Sequence, residues 1–163
     1  MTLSAPAPIT LEHDLSPFSC GHPTLDDWLR RRALSNHESS ASRTYVTAHG
    51  VRVLGYYALA SGALASSEAT GRFRRNMPDP VPVAILARLA VDQTVHGTGV
   101  GRALFVDAAQ RVVSAAEIIG IRGLIVHAIS EEAAAFYAAL GLSATPAEPR
   151  TFMITLDELR LAL

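Results

Sequence analysis

The chain has 163 residues, 49% of them hydrophobic and 18% charged, and its formal net charge is −1. This composition excludes disorder of the whole chain, because disorder requires low hydrophobicity together with high net charge. The near-neutral charge excludes an overall basic coat for nucleic acids but leaves a local basic patch open. The length suits one globular domain, and we predict a single domain over residues 1–163.

Residue types that are rare or absent exclude further classes. All 14 basic residues are arginines, so a Schiff-base lysine and a lysine-containing phosphate loop are excluded. Cys20 is the only cysteine, which excludes an intramolecular disulfide and a cysteine-rich zinc site. The sequence has no apolar run of about 18 residues and no signal-peptide pattern. We therefore expect a cytoplasmic protein without a membrane segment.

The first element predicted with a clear start is a helix that opens at Pro23. Thr24 is expected to cap it, with Asp27 as the capping-box partner. Apolar residues recur at helical spacing from Leu25 to Ala33, which gives the helix one packing face. Trp28 lies on this face and is expected to pack the helix against a sheet.

A β-hairpin and a long excursion follow the helix. Residues 43–47 and 51–60 are rich in tyrosine and valine and flank His49-Gly50, which indicates two antiparallel strands. Residues 61–80 break this pattern with glycines, prolines and a basic run, and we interpret them as an excursion on one face of the sheet that can include a short helix.

The second half of the chain alternates buried strands and helices. Residues 83–91 form an apolar run typical of a strand buried on both faces, and a helix is predicted over residues 100–119, closed by Gly120. A strand over residues 121–129 precedes a helix that Ser130 caps and Gly141 ends. Residues 151–156 are predicted to form the last strand.

The loop between the central strand and the long helix is the strongest functional signal. Three of the five residues from 97 to 101 are glycines, so backbone amides can face an anion at a helix N-terminus. A dinucleotide fingerprint fails because Arg102 occupies its third glycine position. The loop instead resembles the Q/R-x-x-G-x-G/A signature of the GNAT superfamily of N-acetyltransferases, with His96 in place of the usual Gln or Arg.

Other motifs narrow the resemblance to the acetyltransferase toxins of bacterial toxin–antitoxin pairs. The similarity extends from about residue 10 to residue 156. Its motifs are Phe18-Ser19-Cys20-Gly21, Leu25-Asp26-Asp27-Trp28-Leu29, Arg43-Thr44-Tyr45-Val46, Gly55-Tyr56-Tyr57, Arg75-Asn76-Met77-Pro78-Asp79-Pro80, Arg88-Leu89-Ala90-Val91-Asp92, Val126-His127-Ala128 and Ala135-Phe136-Tyr137.

The resemblance implies a fold, a reaction and partners. The fold is the α/β GNAT fold, a mixed and mostly antiparallel sheet flanked by helices and split near its middle to admit acetyl-CoA. The reaction is acetyl transfer from acetyl-CoA to the α-amine of aminoacyl-tRNA, which stops translation. The expected partners are a ribbon-helix-helix antitoxin and a second copy in a homodimer.

The resemblance also implies which residues form the site. The cosubstrate would be held by the strand end and the loop, which comprise Leu89, Ala90, Val91, His96, Gly97, Thr98, Gly99, Val100, Gly101 and Arg102. Tyr137 would protonate the departing thiolate as a general acid. Helical spacing predicts that its neighbours Phe136 and Leu140 face the core.

Several residues carry alternative interpretations. Arg72, Arg74 and Arg75, together with Arg30–Arg32, are candidates for tRNA phosphate contacts, against ordinary solvated surface. Arg88 either pairs within the fold or faces the substrate. His127 is expected in a core or pocket wall, Cys20 is expected to be inert, and no cluster has metal-ligand spacing.

Two other functions remain open at this level. The first is a GNAT enzyme that acetylates a small-molecule or protein amine. The second is a non-catalytic acyl-CoA-binding module, which would bind the cosubstrate without turnover. A general base is not evident. An α-amine depends less on a general base than a lysine side chain does, because about a tenth of the α-amine is already neutral at pH 7.

Overall fold

A computed structural model describes residues 2–163 as a seven-stranded sheet with helices. The strands are β1 (Ala7–Pro8), β2 (Arg43–His49), β3 (Arg52–Leu64), β4 (Val81–Val91), β5 (Gly123–His127), β6 (Ser143–Ala144) and β7 (Thr151–Thr155). The α-helices are α1 (Pro23–Trp28), α2 (Leu34–Glu38), α3 (Gly71–Arg74), α4 (Val100–Ala116), α5 (Glu131–Ala139) and α6 (Leu156–Ala162). A π-helical turn joins α1 to α2 (Leu29–Ala33), and short 3₁₀ turns lie at Ser66–Glu68 and Gln93–Val95.

The strand order is β1-β2-β3-β4-β5-β7-β6. Strand β4 pairs in parallel with β5, whereas the β1–β2, β2–β3, β5–β7 and β6–β7 pairs are antiparallel. The parallel pairing covers Ala84–Leu86 against Leu124–Val126, and β4 continues beyond it to Val91. This mixed sheet confirms the predicted fold class.

Contacts between residues divide the chain into two compact units. One comprises residues up to Ala60 together with Ala87–Ala108, and the other comprises Ser61–Leu86 with Ala109–Leu163. No helix within residues 2–163 is long and apolar enough to cross a membrane. One domain over residues 1–163 stays a prediction.

In the first unit, an aromatic cluster packs the first helix on the sheet. The Tyr56 ring is fully buried, makes an edge contact with Phe18 at 5.6 Å between centroids, and stacks with Trp28 at 6.0 Å. The Tyr56 hydroxyl donates to the Leu25 carbonyl at 2.7 Å. The predicted packing role of Trp28 is thereby confirmed.

The start of α1 differs from the prediction. Its N-cap residue is His22, which makes no side-chain cap hydrogen bond, and Pro23 occupies the first helical position. Thr24 therefore lies inside the helix, and its predicted capping role is wrong. The physical reason is that proline suits the first helical position, where an amide has no acceptor anyway.

Helix α4 packs against strand β3 at the segment Gly55-Tyr56-Tyr57. A Cβ atom on Gly55 would lie 3.0 Å from Leu104 Cδ1 and 3.3 Å from Val100 Cγ1, so glycine permits the close approach of the helix. The hydroxyl of the buried Tyr57 donates to the Asp107 carboxylate. Together these contacts fix the first turns of α4 against the sheet.

Asp92 closes strand β4 and is almost completely buried, at 2% exposure. Its carboxylate accepts from the Ser19 amide at 2.9 Å, the Thr94 amide at 3.0 Å and the Thr94 hydroxyl at 2.8 Å. Burial favours the protonated form, but these hydrogen bonds outweigh it and lower the pKa of Asp92. The charged carboxylate therefore ties the strand end to two separate loops.

In the second unit, Arg122 and Gly123 hold α3 near β5 and β7. Arg122 donates through Nε to the Phe73 carbonyl and through Nη2 to the Arg72 carbonyl, both at 2.8 Å. A Cβ atom on Gly123 would collide with the Ile154 carbonyl oxygen and lie 2.8 Å from Phe73 Cε1. Glycine is therefore required by the close backbone packing at this position.

Two element ends in this unit differ from the predictions. Helix α4 stops at Ala116. The amides of Ile118 and Ile119 both donate to the Ala115 carbonyl, which tightens the turn. Ile119 was expected on the packing face of the helix but is 55% exposed. The last strand ends at Thr155, where a capping box with Glu158 begins a helix that the prediction lacked.

We expect Asp92→Asn to lower the free energy of unfolding at pH 7 by about 1–3 kcal/mol, because the Ser19 amide and both donors of Thr94 lose a charged acceptor. The pKa of Asp92 is lowered on folding, so its stabilisation is present above the unfolded pKa and is lost as pH falls through the folded pKa. Urea unfolding from pH 7 to pH 3 should show the gap between wild type and variant narrowing. Asp14→Asn is the control, because its exposed carboxylate accepts locally from Ser16; an equal loss in both variants would contradict the prediction.

Gly123→Ala is expected to lower the free energy of unfolding by about 2 kcal/mol, since the added methyl overpacks the β5–β7 region. Gly120→Ala provides the matched control, as a Cβ there meets no atom within 4 Å. Thermal unfolding followed by circular dichroism measures both. Equal midpoints for the two variants would show that β7 shifts freely to admit the methyl group.

Candidate functional site

The glycine loop of the first unit has the backbone that an anion site needs. Gly97 and Gly99 have φ angles of +75° and +90°, which side chains other than glycine rarely adopt. A Cβ atom at either position would meet nothing within 4 Å. Glycine is therefore required here by the backbone conformation, and the outer side of the loop is open to a ligand.

Helix α4 directs its N-terminus at this loop. Its first hydrogen bond runs from the Ala103 amide to the Gly99 carbonyl at 3.1 Å. The amides of Val100, Gly101 and Arg102 precede that bond and have no acceptor within the helix. These donors, with the partial positive charge of the helix end, fit a diphosphate.

The side chains of His96 and Thr98 shape the loop from within. His96 Nε2 lies 2.6 Å from the Val91 carbonyl oxygen, and because a carbonyl only accepts, this nitrogen carries the proton. The Thr98 hydroxyl donates to the Val95 carbonyl at 2.6 Å. Of the predicted cosubstrate residues, these two therefore have side chains that hold the loop in its conformation.

The strand end leading into the loop is partly covered. Ala90 is buried in the cluster with Tyr56, whereas Leu89 and Val91 are half-buried. Asp92, directly after them, was missed as a site-forming residue by the sequence analysis. A local sequence signal for its role was present, because an aspartate side chain often accepts from the amide two residues later in an Asx turn, as Asp92 does from Thr94.

Tyr137 lies on α5 in the second unit. The predicted Ser130 cap is confirmed, because the Ser130 hydroxyl accepts from the Ala133 amide at 3.1 Å. Tyr137 is 5% exposed and lies 6.4 Å from the Phe152 ring, and burial raises the pKa of its phenol. The hydroxyl therefore stays protonated across the physiological range, as a proton donor must.

The assignment of the α5 packing face was wrong. Phe136 and Leu140 were expected in the core, but both are half-buried and Tyr137 is the buried residue of this helix. The α5 sequence is apolar on almost every side, so helical spacing alone could not select the face that packs on β7.

The basic run lies on and directly after α3 in the second unit. Arg72, Arg74 and Arg75 are all exposed. Arg72 forms an ion pair with Glu158 at 2.8 Å, and Arg74 Nη1 lies 3.5 Å from the Ser66 carbonyl oxygen. Hydrogen bonds from Thr155 and the Arg72 pairing outweigh burial and lower the pKa of Glu158. The three arginines thus lie on one short exposed segment, and Arg72 is already paired with a carboxylate.

The remaining candidates fall outside the loop. His127 is exposed at the end of β5, with Nδ1 2.9 Å from the Thr151 hydroxyl, so it does not lie in the core, and its place in a pocket wall stays a prediction. Cys20 is buried, and burial is the main cause that raises its thiol pKa to about 12, as its expected inertness requires. Within residues 2–163 no three metal-ligating side chains come together.

Comparisons with known proteins identify the family. No protein-family model matches the chain. The chain is 49% identical over 157 residues to a tRNA-acetylating toxin of Mycobacterium tuberculosis, an alignment that covers 96% of this chain and 95% of that protein.

Solved structures share the fold over the full length. A tyrosine-to-phenylalanine mutant of KacT matches with a TM-score of 0.92 and 26% identity over 100% of both chains. AtaT complexed with acetyl-methionyl-tRNAfMet matches with a TM-score of 0.89 and 27% identity over 98% of each chain. An AtaT mutant bound to acetyl-CoA and the C-terminus of the antitoxin AtaR gives a TM-score of 0.84 and 27% identity, over 98% of this chain and 96% of that one. The chain therefore belongs to the tRNA-acetylating toxins, a family of acetyl-CoA-dependent N-acetyltransferases within the GNAT superfamily.

Proposed function

We propose that this chain transfers the acetyl group of acetyl-CoA to the α-amine of an amino acid carried on tRNA and thereby stops translation. The observation that carries the proposal is the 49% identity, over nearly the whole chain, to a tRNA-acetylating toxin. The open glycine loop at the start of α4 supports it, because acetyl-CoA contains a diphosphate that such a loop binds.

Backbone groups hold the cosubstrate in this proposal. The amides of Gly97–Arg102 bind the diphosphate, while the backbone of Leu89–Val91 binds the pantetheine arm and polarises the thioester oxygen. Asp92 and His96 keep these two segments in a fixed relation through the bonds described above. A fixed relation matters because donors for a developing oxyanion act best when they are already in place.

Tyr137 is the general acid. The neutral amine attacks the thioester carbonyl carbon, a C–N bond forms, and the C–S bond breaks. The thiolate that leaves takes its proton from the Tyr137 hydroxyl, the new amide nitrogen loses its extra proton to water, and the Tyr137 phenolate then recovers a proton from water. Burial raises the pKa of the phenol, which keeps that proton available at neutral pH.

The fraction of an amine that is neutral at pH 7 supports an α-amine as the acceptor. About a tenth of an α-amine is neutral at pH 7, compared with about one part in a few thousand for a lysine side chain. An enzyme without a dedicated base therefore favours α-amines. Arg72, Arg74 and Arg75 are proposed to contact the tRNA phosphates, and Arg72 then exchanges its Glu158 partner for a phosphate or shares it.

The proposed partners follow from the related complexes. AtaT is described bound to the C-terminus of its antitoxin, and KacTA is described in complex with DNA. We extend this to a cognate antitoxin for the present chain, of the DNA-binding ribbon-helix-helix type. We also propose that the toxin forms a homodimer and acts in the cytoplasm, where charged tRNA is found.

Incubation with labelled acetyl-CoA and a pool of charged tRNA should place label on the RNA, because only charged tRNA offers an α-amine. Uncharged tRNA is the control, and it should stay unlabelled. Acetyl-CoA binding by calorimetry without any transfer to charged tRNA would contradict the proposal. That outcome would leave a small-molecule or protein amine as the acceptor.

Tyr137→Phe is expected to lower kcat by about 10²–10⁴-fold, the usual contribution of a general acid, with little change in the Kd of acetyl-CoA. The ring that packs near Phe152 is retained, so the fold should be unaffected. Tyr45→Phe is the matched control, because Tyr45 is half-buried and stacks on Tyr57 through its ring. A parallel loss of acetyl-CoA affinity and turnover in Tyr137→Phe would make Tyr137 structural.

A further inference from the structure

Arg88 is a half-buried arginine on β4 whose charge has no anionic partner within residues 2–163. The guanidinium carbon lies 4.3 Å from the centre of the Trp28 ring, and the side chain takes part in no ion pair or hydrogen bond of the described chain. Three other arginines differ in this respect. Arg30, Arg72 and Arg122 each donate to a carboxylate or a carbonyl.

The aromatic cluster holds this guanidinium in place. Trp28 is stacked on Tyr56, and the Tyr56 hydroxyl is bound to the Leu25 carbonyl, so the ring under Arg88 is itself fixed. A cation–π contact covers one face of the guanidinium and leaves its N–H donors, which lie in the plane, available. An arginine held in this way is already arranged to bind a planar or tetrahedral anion.

Two further arginines near Trp28 also lack an ion pair. Asp26 accepts from the Cys20 amide at 2.9 Å, and Asp27 is paired with Arg30 at 3.4 Å. Arg31 and Arg32 follow Trp28 within the next turn and are exposed, with no ion pair in the described residues. The segment after α1 and strand β4 thus carry arginines that form no ion pair with an acidic side chain of the described residues.

The position along β4 separates Arg88 from the diphosphate loop. A strand rises about 3.3 Å per residue, so Arg88 lies about 10 Å before Val91, on the side away from the loop. In the proposed function the loop takes the diphosphate and the Leu89–Val91 backbone takes the pantetheine arm. An anion near Arg88 therefore belongs to the acceptor, and the anion closest to the α-amine of charged tRNA is a phosphate of its terminal nucleotides.

We propose that Arg88, held on Trp28, binds a phosphate of the single-stranded acceptor end of tRNA and positions the charged amino acid for attack. This inference rests on the proposed function, because it assigns an additional residue to the acceptor RNA. The recognition is of the phosphate backbone, so it contributes equally for every tRNA and does not select the amino acid.

The test compares Arg88→Gln with wild type on charged tRNA at several KCl concentrations. We expect KM for charged tRNA to rise roughly tenfold, as loss of a charge-assisted hydrogen bond predicts, with kcat and the Kd of acetyl-CoA little changed. The slope of log(kcat/KM) against log[KCl] should become shallower by about 0.7, the value for one phosphate contact on a single strand. A purely structural role would leave this slope unchanged.

Two further variants serve as controls for the loss of the guanidinium and for the loss of one positive charge elsewhere. Arg88→Lys keeps the charge and an apolar stem over Trp28, so it should restore the salt slope while recovering KM only in part, because lysine lacks the planar fork. Arg160→Gln removes one positive charge from an exposed arginine that pairs with Glu117 and Asp157. It should leave both KM and the slope at wild-type values.

Each contrary outcome has a distinct meaning. An unchanged KM and salt slope in Arg88→Gln, with active wild type, would overturn the proposal for Arg88 and leave the tRNA reaction standing. A weakened Kd for acetyl-CoA would assign Arg88 to the cosubstrate and overturn it equally. If wild type transferred no acetyl group to charged tRNA, the proposed function itself would fail, and the inference with it.

Discussion

The buried carboxylate of Asp92 is the interaction on which the candidate site depends. It receives hydrogen bonds from the Ser19 amide and from both donors of Thr94, directly after strand β4 ends at Val91. The Asp92 amide in turn donates to the Leu54 carbonyl, which ties the same point to β3. The two segments proposed to bind the cosubstrate, the strand end before Asp92 and the loop after it, both take their position from this anchor.

Helix α4 fixes the other end of the loop, because contacts with β3 that do not involve Asp92 hold the helix in position. Gly55 allows the helix to approach β3, and the Tyr57 hydroxyl holds Asp107 one turn further along. The loop is therefore anchored at both ends, by a charged acceptor at the strand and by packing at the helix. Amides held in this way bind an anion without an ordering cost at the moment of binding, which suits a chain that has no lysine for phosphates.

The sequence predicted those parts of the fold that depend on local chemistry. The glycine loop, the Ser130 cap and the alternation of strands and helices in the second half follow from turn residues and periodicity, and the structure has all of them. Thr24 was misassigned although the correct signal was present, since a proline at the first helical position moves the cap to the residue before it. The start of the helix after Thr155 could also have been predicted, because threonine followed three residues later by glutamate is the sequence pattern of a capping box.

Features that depend on contacts distant in sequence could not be predicted in the same way. Spacing on α5 did not show that Tyr137 rather than Phe136 is buried, because that depends on β7, which lies later in the chain. The contact of Arg88 with Trp28 joins residues sixty positions apart, and nothing near Arg88 in sequence indicates it. The Tyr57–Asp107 bond is of the same kind.

The near-neutral composition is compatible with an RNA substrate because charge acts locally. Carboxylates at Asp27, Glu131 and Glu158 are used in ion pairs with arginines of the same unit. Arginines such as Arg75 and Arg88 have no such partner in the described chain. A guanidinium held on an aromatic ring loses less side-chain entropy on binding a phosphate than a freely solvated one does, because part of its ordering has already occurred on folding. The formal charge of −1 therefore gives little information about affinity for RNA, which depends on the few arginines left unneutralised.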